Sequence, residues 1–201
     1  MSVAEKVKSL ALEFEKGEPF TNGSFLSLGS RSAVDKALSR MVKEGAIQRV
    51  SRGVYFRPKK NRFVGVALPE PSQVVRVIAQ DHGETIQVHG AEAARRFRLS
   101  TQMPTIPTFY TSGPSRELYI GKLKVRLMHT TSSRRLQHAG NKVGLALSAL
   151  WYLGKDNVSE EAVRRVREGL SEEEFVALRE SRMPAWMSKA IKKYSQGSIH
   201  G

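Results

Sequence analysis

Six basic residues, Arg49, Arg52, Arg57, Lys59, Lys60 and Arg62, fall in a fourteen-residue stretch that holds no acid. Clustered cations of this density displace counterions from a polyanion and gain affinity by releasing them. Just upstream, Arg31, Ser32, Lys36, Ser39, Arg40 and Lys43 share one face of a helical repeat, while Val34, Ala37, Leu38, Met41 and Val42 occupy the other. Arginine reads guanine through two parallel hydrogen bonds, and serine and lysine reach phosphate oxygens. The expected DNA contacts are therefore Arg31, Ser32, Lys36, Ser39, Arg40, Lys43, Arg49, Arg52, Arg57, Lys59 and Lys60; the competing reading of each is a solvated surface cation. Asp35 repels phosphate and is expected to pair with Arg31 or Ser39, or to accept from a cytosine amino group. Tyr55 is expected in the core rather than under a base.

Catalytic chemistry has less support. The histidines, at 82, 89, 129, 138 and 200, show neither His-x-x-x-His nor His-Glu-x-x-His spacing, so no metal site is expected. Gly29-Ser30 precedes Asp35, but Ala37 stands where a two-metal transferase needs its second carboxylate. A Gly-x-x-x-x-Gly-Lys phosphate loop and a Gly-x-Ser-x-Gly elbow are both missing, and with no cysteine there is no thiolate for zinc or nucleophilic attack. The reading is a non-enzyme without a cofactor.

The elements that must position the basic residues follow from periodicity. Val3, Val7, Leu10, Ala11 and Phe14 mark a first helix capped by Ser2. After Gly17-Glu-Pro19, Phe20, Phe25, Leu26 and Leu28 imply a second, shorter helix capped by Thr21 or Asn22, and Gly29 makes the turn. Ser30 opens the amphipathic third helix, which Gly45 stops. Ile47 to Val50 and Val54 to Phe56 read as strands joined over Ser51-Arg-Gly53. This order predicts a winged helix-turn-helix, in which the third helix enters the major groove and the arginine-tipped hairpin rides on the backbone.

Pro69-Glu-Pro71 places a boundary between a DNA-binding domain, 1–68, and a second domain, 69–201. Residues 1–65 carry 13 basic and 6 acidic residues, and the rest 20 and 13, so each part is +7 and the smaller is about twice as densely charged. The second part predicts a helix from 72 to 81, a strand from 86 to 88 and a helix from 91 to 97. Strands follow at 108–111, 117–120 and 124–129, the last two forming a hairpin over Gly121. One long helix is expected from 134 to 153, and Ser159 and Ser171 open two more, the latter with the Ser-x-x-Glu capping pattern. Residues 195–201 are expected to be disordered. The fold class is α+β: a winged helix-turn-helix, then a mixed domain with a helical C-terminus.

Further motifs lie in the second part: Gly90-Ala91 and Ala93-Ala94, Leu99-Ser-Thr-Gln-Met-Pro104, Tyr110-Thr-Ser-Gly-Pro-Ser-Arg116 and Ile120-Gly121. Together with Phe25-Leu-Ser-Leu-Gly-Ser-Arg31, the 34–40 run, Gly45 and Arg52-Gly-Val-Tyr55, they resemble the AbiEi-like antitoxins of type IV toxin-antitoxin systems. The resemblance covers most of the chain, and its second-part motifs are the more distinctive. It implies an autorepressor whose winged helix binds its own promoter and whose second domain counters a nucleotidyltransferase-like toxin, with direct contact to that toxin left open. One departure is Val88-His89 before Gly90, where the family favours Pro-Ser. Arg95, Arg96 and Arg98, and Arg134 with Arg135, would extend the DNA footprint, contact the toxin or be solvated.

The formal charge of +14 fits a polyanionic partner. No apolar run approaches the roughly 18 residues that span a bilayer, and residues 1–12 lack a signal-peptide core, so a cytoplasmic protein without a membrane partner is expected. Two rivals stand beside the antitoxin: a stand-alone regulator with a sensing domain, and an RNA-binding module. The latter is disfavoured by aromatics that make up 7% of the chain and avoid the basic segments.

Overall fold

The computed structural model describes residues 1–61 and 65–197, the side chains of 60, 61, 196 and 197 excepted. It is mixed α+β with a helical C-terminus and divides into two compact units, 1–84 with 118–125, and 85–117 with 126–201. Among the described residues no helix is long and apolar enough to cross a membrane.

In the first unit, helix α1 (Val3–Glu13) starts at a capping box in which the Ser2 hydroxyl accepts from the Glu5 amide and the Glu5 carboxylate accepts from the Ser2 amide. Strand β1 (Pro19–Thr21) and a 3-10 helix (Asn22–Leu28) follow, then helix α2 (Arg31–Lys43), capped by the Ser30 hydroxyl. The second helix expected from sequence is thus a 3-10 segment without a side-chain cap bond. β1 was not anticipated, because three residues forced into pairing by distant chain leave no local signature.

Helix α2 ends as its glycine dictates. Gly45 adopts φ +72°, its amide donates to Val42 O, and the Ala46 amide donates to Met41 O, which satisfies the orphan carbonyls of the last turn. Strands β2 (Gln48–Ser51) and β3 (Val54–Phe56) come next, and the sheet order is β1-β3-β2, antiparallel throughout. A short pair, β4 (Lys60–Asn61) and β5 (Gly65–Val66), precedes helix α3 (Pro71–Asp81). The core joins Val7 and Ala11 of α1, Phe20, Phe25, Leu38 and Met41. Phe14 stacks on Phe20 with ring centroids 4.5 Å apart.

The expected boundary at 68/69 shifts. The first unit continues through α3 to Glu84, where the Thr21 hydroxyl donates to the Asp81 carboxylate at 3.0 Å, and it also takes in 118–125, where the Gly121 amide donates to Val50 O at 3.0 Å. Punctuation by proline marks where one helix begins, not where packing ends.

The second unit holds strand β6 (Ile86–Val88), helix α4 (Gly90–Arg96) and strand β7 (Thr108–Thr111). Strands β8 (Arg116–Ile120) and β9 (Leu123–His129) meet over Gly121 and cross the division between units. The sheet order is β6-β7-β9-β8, with β6–β7 antiparallel and β7–β9 parallel. The long helix expected over 134–153 is two, α5 (Ser133–Leu136) and α6 (Lys142–Leu153). His138 at φ +54° breaks it, and the Asn141 side chain then caps α6.

Helices α7 (Glu160–Glu168) and α8 (Glu172–Glu180) begin at Ser159 and Ser171 as expected. Helix α9 (Ala185–Gly197) ends the described chain. Residues 195–197, expected to be disordered, belong to α9, which is anchored by buried Met187 and Ile191; 198–201 lie outside the described residues. The core of this unit joins Ala93, Phe97, Leu147, Leu150, Val163 and Phe175.

Candidate nucleic-acid interface

The outer face of α2 carries the six donors read from the sequence for this helix. Arg31, Ser32, Lys36, Ser39, Arg40 and Lys43 are exposed, while Val34, Ala37, Leu38 and Met41 are buried on the opposite face. Burial of that apolar stripe fixes the helix's rotation about its axis, and so decides which residues face solvent. Asp35 is held by two neighbours: Arg31 Nε lies 3.8 Å from one carboxylate oxygen, and Asn22 Nδ2 donates to the other at 2.9 Å. The expected Arg31 partnership therefore forms, and Asn22 joins it in a way the sequence did not reveal. With the Arg31 side chain 66% exposed, the pair contributes little stability and leaves the guanidinium accessible.

Asn22 also reaches the hairpin. Its backbone amide donates to Gly53 O at 3.0 Å, so one residue, 7% exposed, links α2 to the β2–β3 turn. Gly53 sits at φ +73° with the Asn22 Oδ1 3.3 Å from where a Cβ would stand, so both conformation and space favour glycine there. In the sequence Asn22 stood out only as an alternative helix cap, and its long-range partners were invisible.

On the hairpin, Arg52 is exposed at the tip and Lys59 is exposed beyond β3. Arg49 is exposed on β2, its Nε donating to Ser51 O at 3.2 Å. Tyr55 is buried and stacks with Phe20 at 6.3 Å, as expected of a core residue. Burial raises its phenol pKa, partly offset by the Arg49 charge, so the ring stays neutral.

Arg57 has a different place from the one expected. It is half-buried, and its Nη1 donates to Leu12 O at 2.7 Å and to Phe14 O at 2.8 Å, capping the C-terminal end of α1. The last carbonyls of a helix need donors, and a guanidinium supplies them with favourable charge. The Lys60 backbone lies in β4, while its side chain and all of Arg62 fall outside the described residues.

In the second unit, three arginines of the basic clusters, Arg95, Arg96 and Arg135, are engaged, while Arg98 is exposed. Arg95 and Arg96 both bond Glu92, at 2.7 and 2.9 Å, and these contacts hold that carboxyl below its usual range, Arg95 having the larger effect. Arg135 is half-buried, its Nη1 donating to the Tyr110 hydroxyl at 3.0 Å and its guanidinium lying 5.2 Å from the Tyr110 and Trp151 ring centroids. Arg134 is exposed.

Three of the described histidines make hydrogen bonds within the second unit. His89 Nδ1 accepts from the Ala91 amide and caps α4, His129 Nδ1 meets Gly113 O at 2.8 Å, and His138 Nε2 meets the Ser181 hydroxyl at 3.1 Å. Burial, and then the Arg135 charge, depress the His89 pKa. Among the described residues no three of His, Asp and Glu converge as metal ligands.

A family model matches residues 2–178, which run from the N-cap of α1 into α8. The chain belongs to DUF6088, a family of unknown function. No curated protein matches the chain, and no solved structure matches it. The family span takes in all the described basic residues of α2 and the hairpin.

Proposed function

We propose that the first unit is a winged helix-turn-helix that binds double-stranded DNA, and that the chain is a transcription regulator. What supports this reading is the element order, helix, strand, 3-10 helix, helix and hairpin, with the first strand paired to the last. The observation that carries it is the row of exposed donors on α2, tied through Asn22 to an arginine-tipped turn. A helix free of other partners on one face, beside a basic hairpin, suits the major groove and the flanking phosphates. The contacts proposed are Arg31, Ser32, Lys36, Ser39, Arg40 and Lys43 from the helix, with Arg49, Arg52, Lys59 and Lys60 from the wing. Arg57 is left out because it caps α1.

The resemblance to AbiEi-like antitoxins extends the proposal to an autorepressor in the cytoplasm, whose second unit counters a nucleotidyltransferase-like toxin. Fluorescence anisotropy of the purified protein against its own upstream DNA and a scrambled duplex, over a series of salt concentrations, tests the DNA reading. Preference for the upstream DNA by about a thousandfold supports a specific operator. Equal affinity for both duplexes refutes it. Co-expression with the product of a neighbouring toxin gene tests the antitoxin part.

A further inference from the structure

The second unit contains an open cleft of about 500 Å³ between α7 and the turn after α4. Four guanidinium groups, Arg96, Arg98, Arg164 and Arg165, line it against two carboxylates, Glu161 and Glu168, which leaves the lining doubly positive. The carboxylates act as braces. Glu161 accepts from Arg164 Nε and Nη2 and from Arg165 Nε, each at 2.8 Å, and Glu168 accepts from Arg164 Nη1 at 2.8 Å. Each guanidinium has five N–H donors, so bracing fixes its orientation without using every donor.

Arg98, like His138, is a non-glycine residue in the left-handed region. The Leu99 amide donates to Ala94 O at 2.8 Å and Arg98 takes φ +57°, the left-handed residue that closes a helix and is ordinarily glycine. A non-glycine side chain there costs stability, and such strain gathers where a side chain has work to do. Arg165 Nη1 donates to the Arg98 carbonyl at 2.5 Å and pins this turn to α7. The Arg98 guanidinium has no hydrogen-bond or ion-pair partner among the described residues. Buried Phe97 supplies an apolar wall.

We propose that this cleft binds a phosphomonoester dianion of nucleotide size, gripped by Arg98 and by the unused donors of Arg164 and Arg165. Planar guanidinium forks suit phosphate oxygens, the double positive charge matches a phosphomonoester, and the volume lies within the range of small-molecule sites. The proposal is independent of the DNA-binding reading, since none of these residues belongs to the first unit.

Calorimetric titration of the full chain with AMP, adenosine and inorganic phosphate tests it. AMP is expected to bind, with inorganic phosphate competing and adenosine silent. Arg98→Gly should weaken AMP at least tenfold while leaving the melting temperature unchanged or raised, because glycine is at ease in the left-handed region. A second arm compares 5′-phosphorylated and 5′-hydroxyl triadenylate in an Arg52→Glu/Lys59→Glu background, which removes the wing. Binding of the phosphorylated strand with the same Arg98 dependence, in preference to AMP, identifies the source as a strand end. The proposal is overturned if neither AMP nor the phosphorylated strand binds at millimolar concentration. It also falls if adenosine matches AMP, or if Arg98→Gly retains affinity.

Discussion

On the proposed DNA-binding reading, reversing charge at the β2–β3 hairpin and just beyond it, Arg52→Glu with Lys59→Glu, should separate binding from folding. Both side chains are exposed, and neither has a hydrogen-bond or ion-pair partner among the described residues, so the fold should be insensitive. A change in unfolding free energy within about 0.5 kcal/mol is expected, as for other free surface positions. Binding should respond strongly. With a slope of about 0.9 in log affinity per phosphate contact, each contact is worth about 0.7 decades, or about 1 kcal/mol, near 0.15 M salt. Losing two contacts therefore weakens binding about 30-fold. Repulsion between the new carboxylates and phosphate is of similar size, which brings the expected loss to about a thousandfold. The assay is anisotropy with the upstream duplex between about 50 and 200 mM salt, alongside thermal melts. The log-log salt slope should also become shallower by at least about 1.8, the share of the two lost contacts, which generic weakening would not produce. An unchanged Kd and slope in a folded variant would remove the wing from the interface.

Asn22→Ala removes a buried donor to Asp35, and chemical denaturation should show a loss of about 1–3 kcal/mol together with weaker operator binding, because α2 and the hairpin turn lose their shared tie. Arg57→Ala, by contrast, should cost about 1.5–3 kcal/mol of stability through the uncapped α1 carbonyls while leaving the salt slope of DNA binding unchanged; a shallower slope would return Arg57 to the interface. His89 has a folded pKa below its unfolded value, so its contribution to stability is present above about pH 6.5 and is lost as pH falls through the folded value. Compared with wild type, His89→Asn, which keeps a capping side chain, should flatten the stability profile below about pH 6.5; parallel profiles in urea titrations at several pH values would contradict this.

Local chemistry made much of the fold legible. Ser2, Ser30, Ser159 and Ser171 cap the helices that their sequence contexts announce, and the strands expected at 86–88 and 108–111 are β6 and β7. What escaped depends on distant chain. β1 exists because Pro19–Thr21 pairs with Phe56–Val54, and the interruption at His138 required a left-handed residue that no periodicity reveals. The candidate interface was legible in the same uneven way. Exposed cations on α2 followed from the apolar stripe beneath them. Arg57 was indistinguishable in composition from Arg52, since only the approach of β3 to the end of α1 makes one a cap and leaves the other free.

The first unit is not one uninterrupted length of polypeptide. Residues 118–125 complete it, and the Gly121 amide occupies a carbonyl on β2, the strand that leads into the Arg52 turn. A gene fragment ending at codon 84 would therefore encode an incomplete body, with Val50 O deprived of its donor. Exchange of the N-terminal portion between homologues as a portable cassette should fail unless the β8–β9 tip travels with it. Changes in the tip are therefore expected to be tolerated only where they remain compatible with a strand more than sixty residues earlier in the chain.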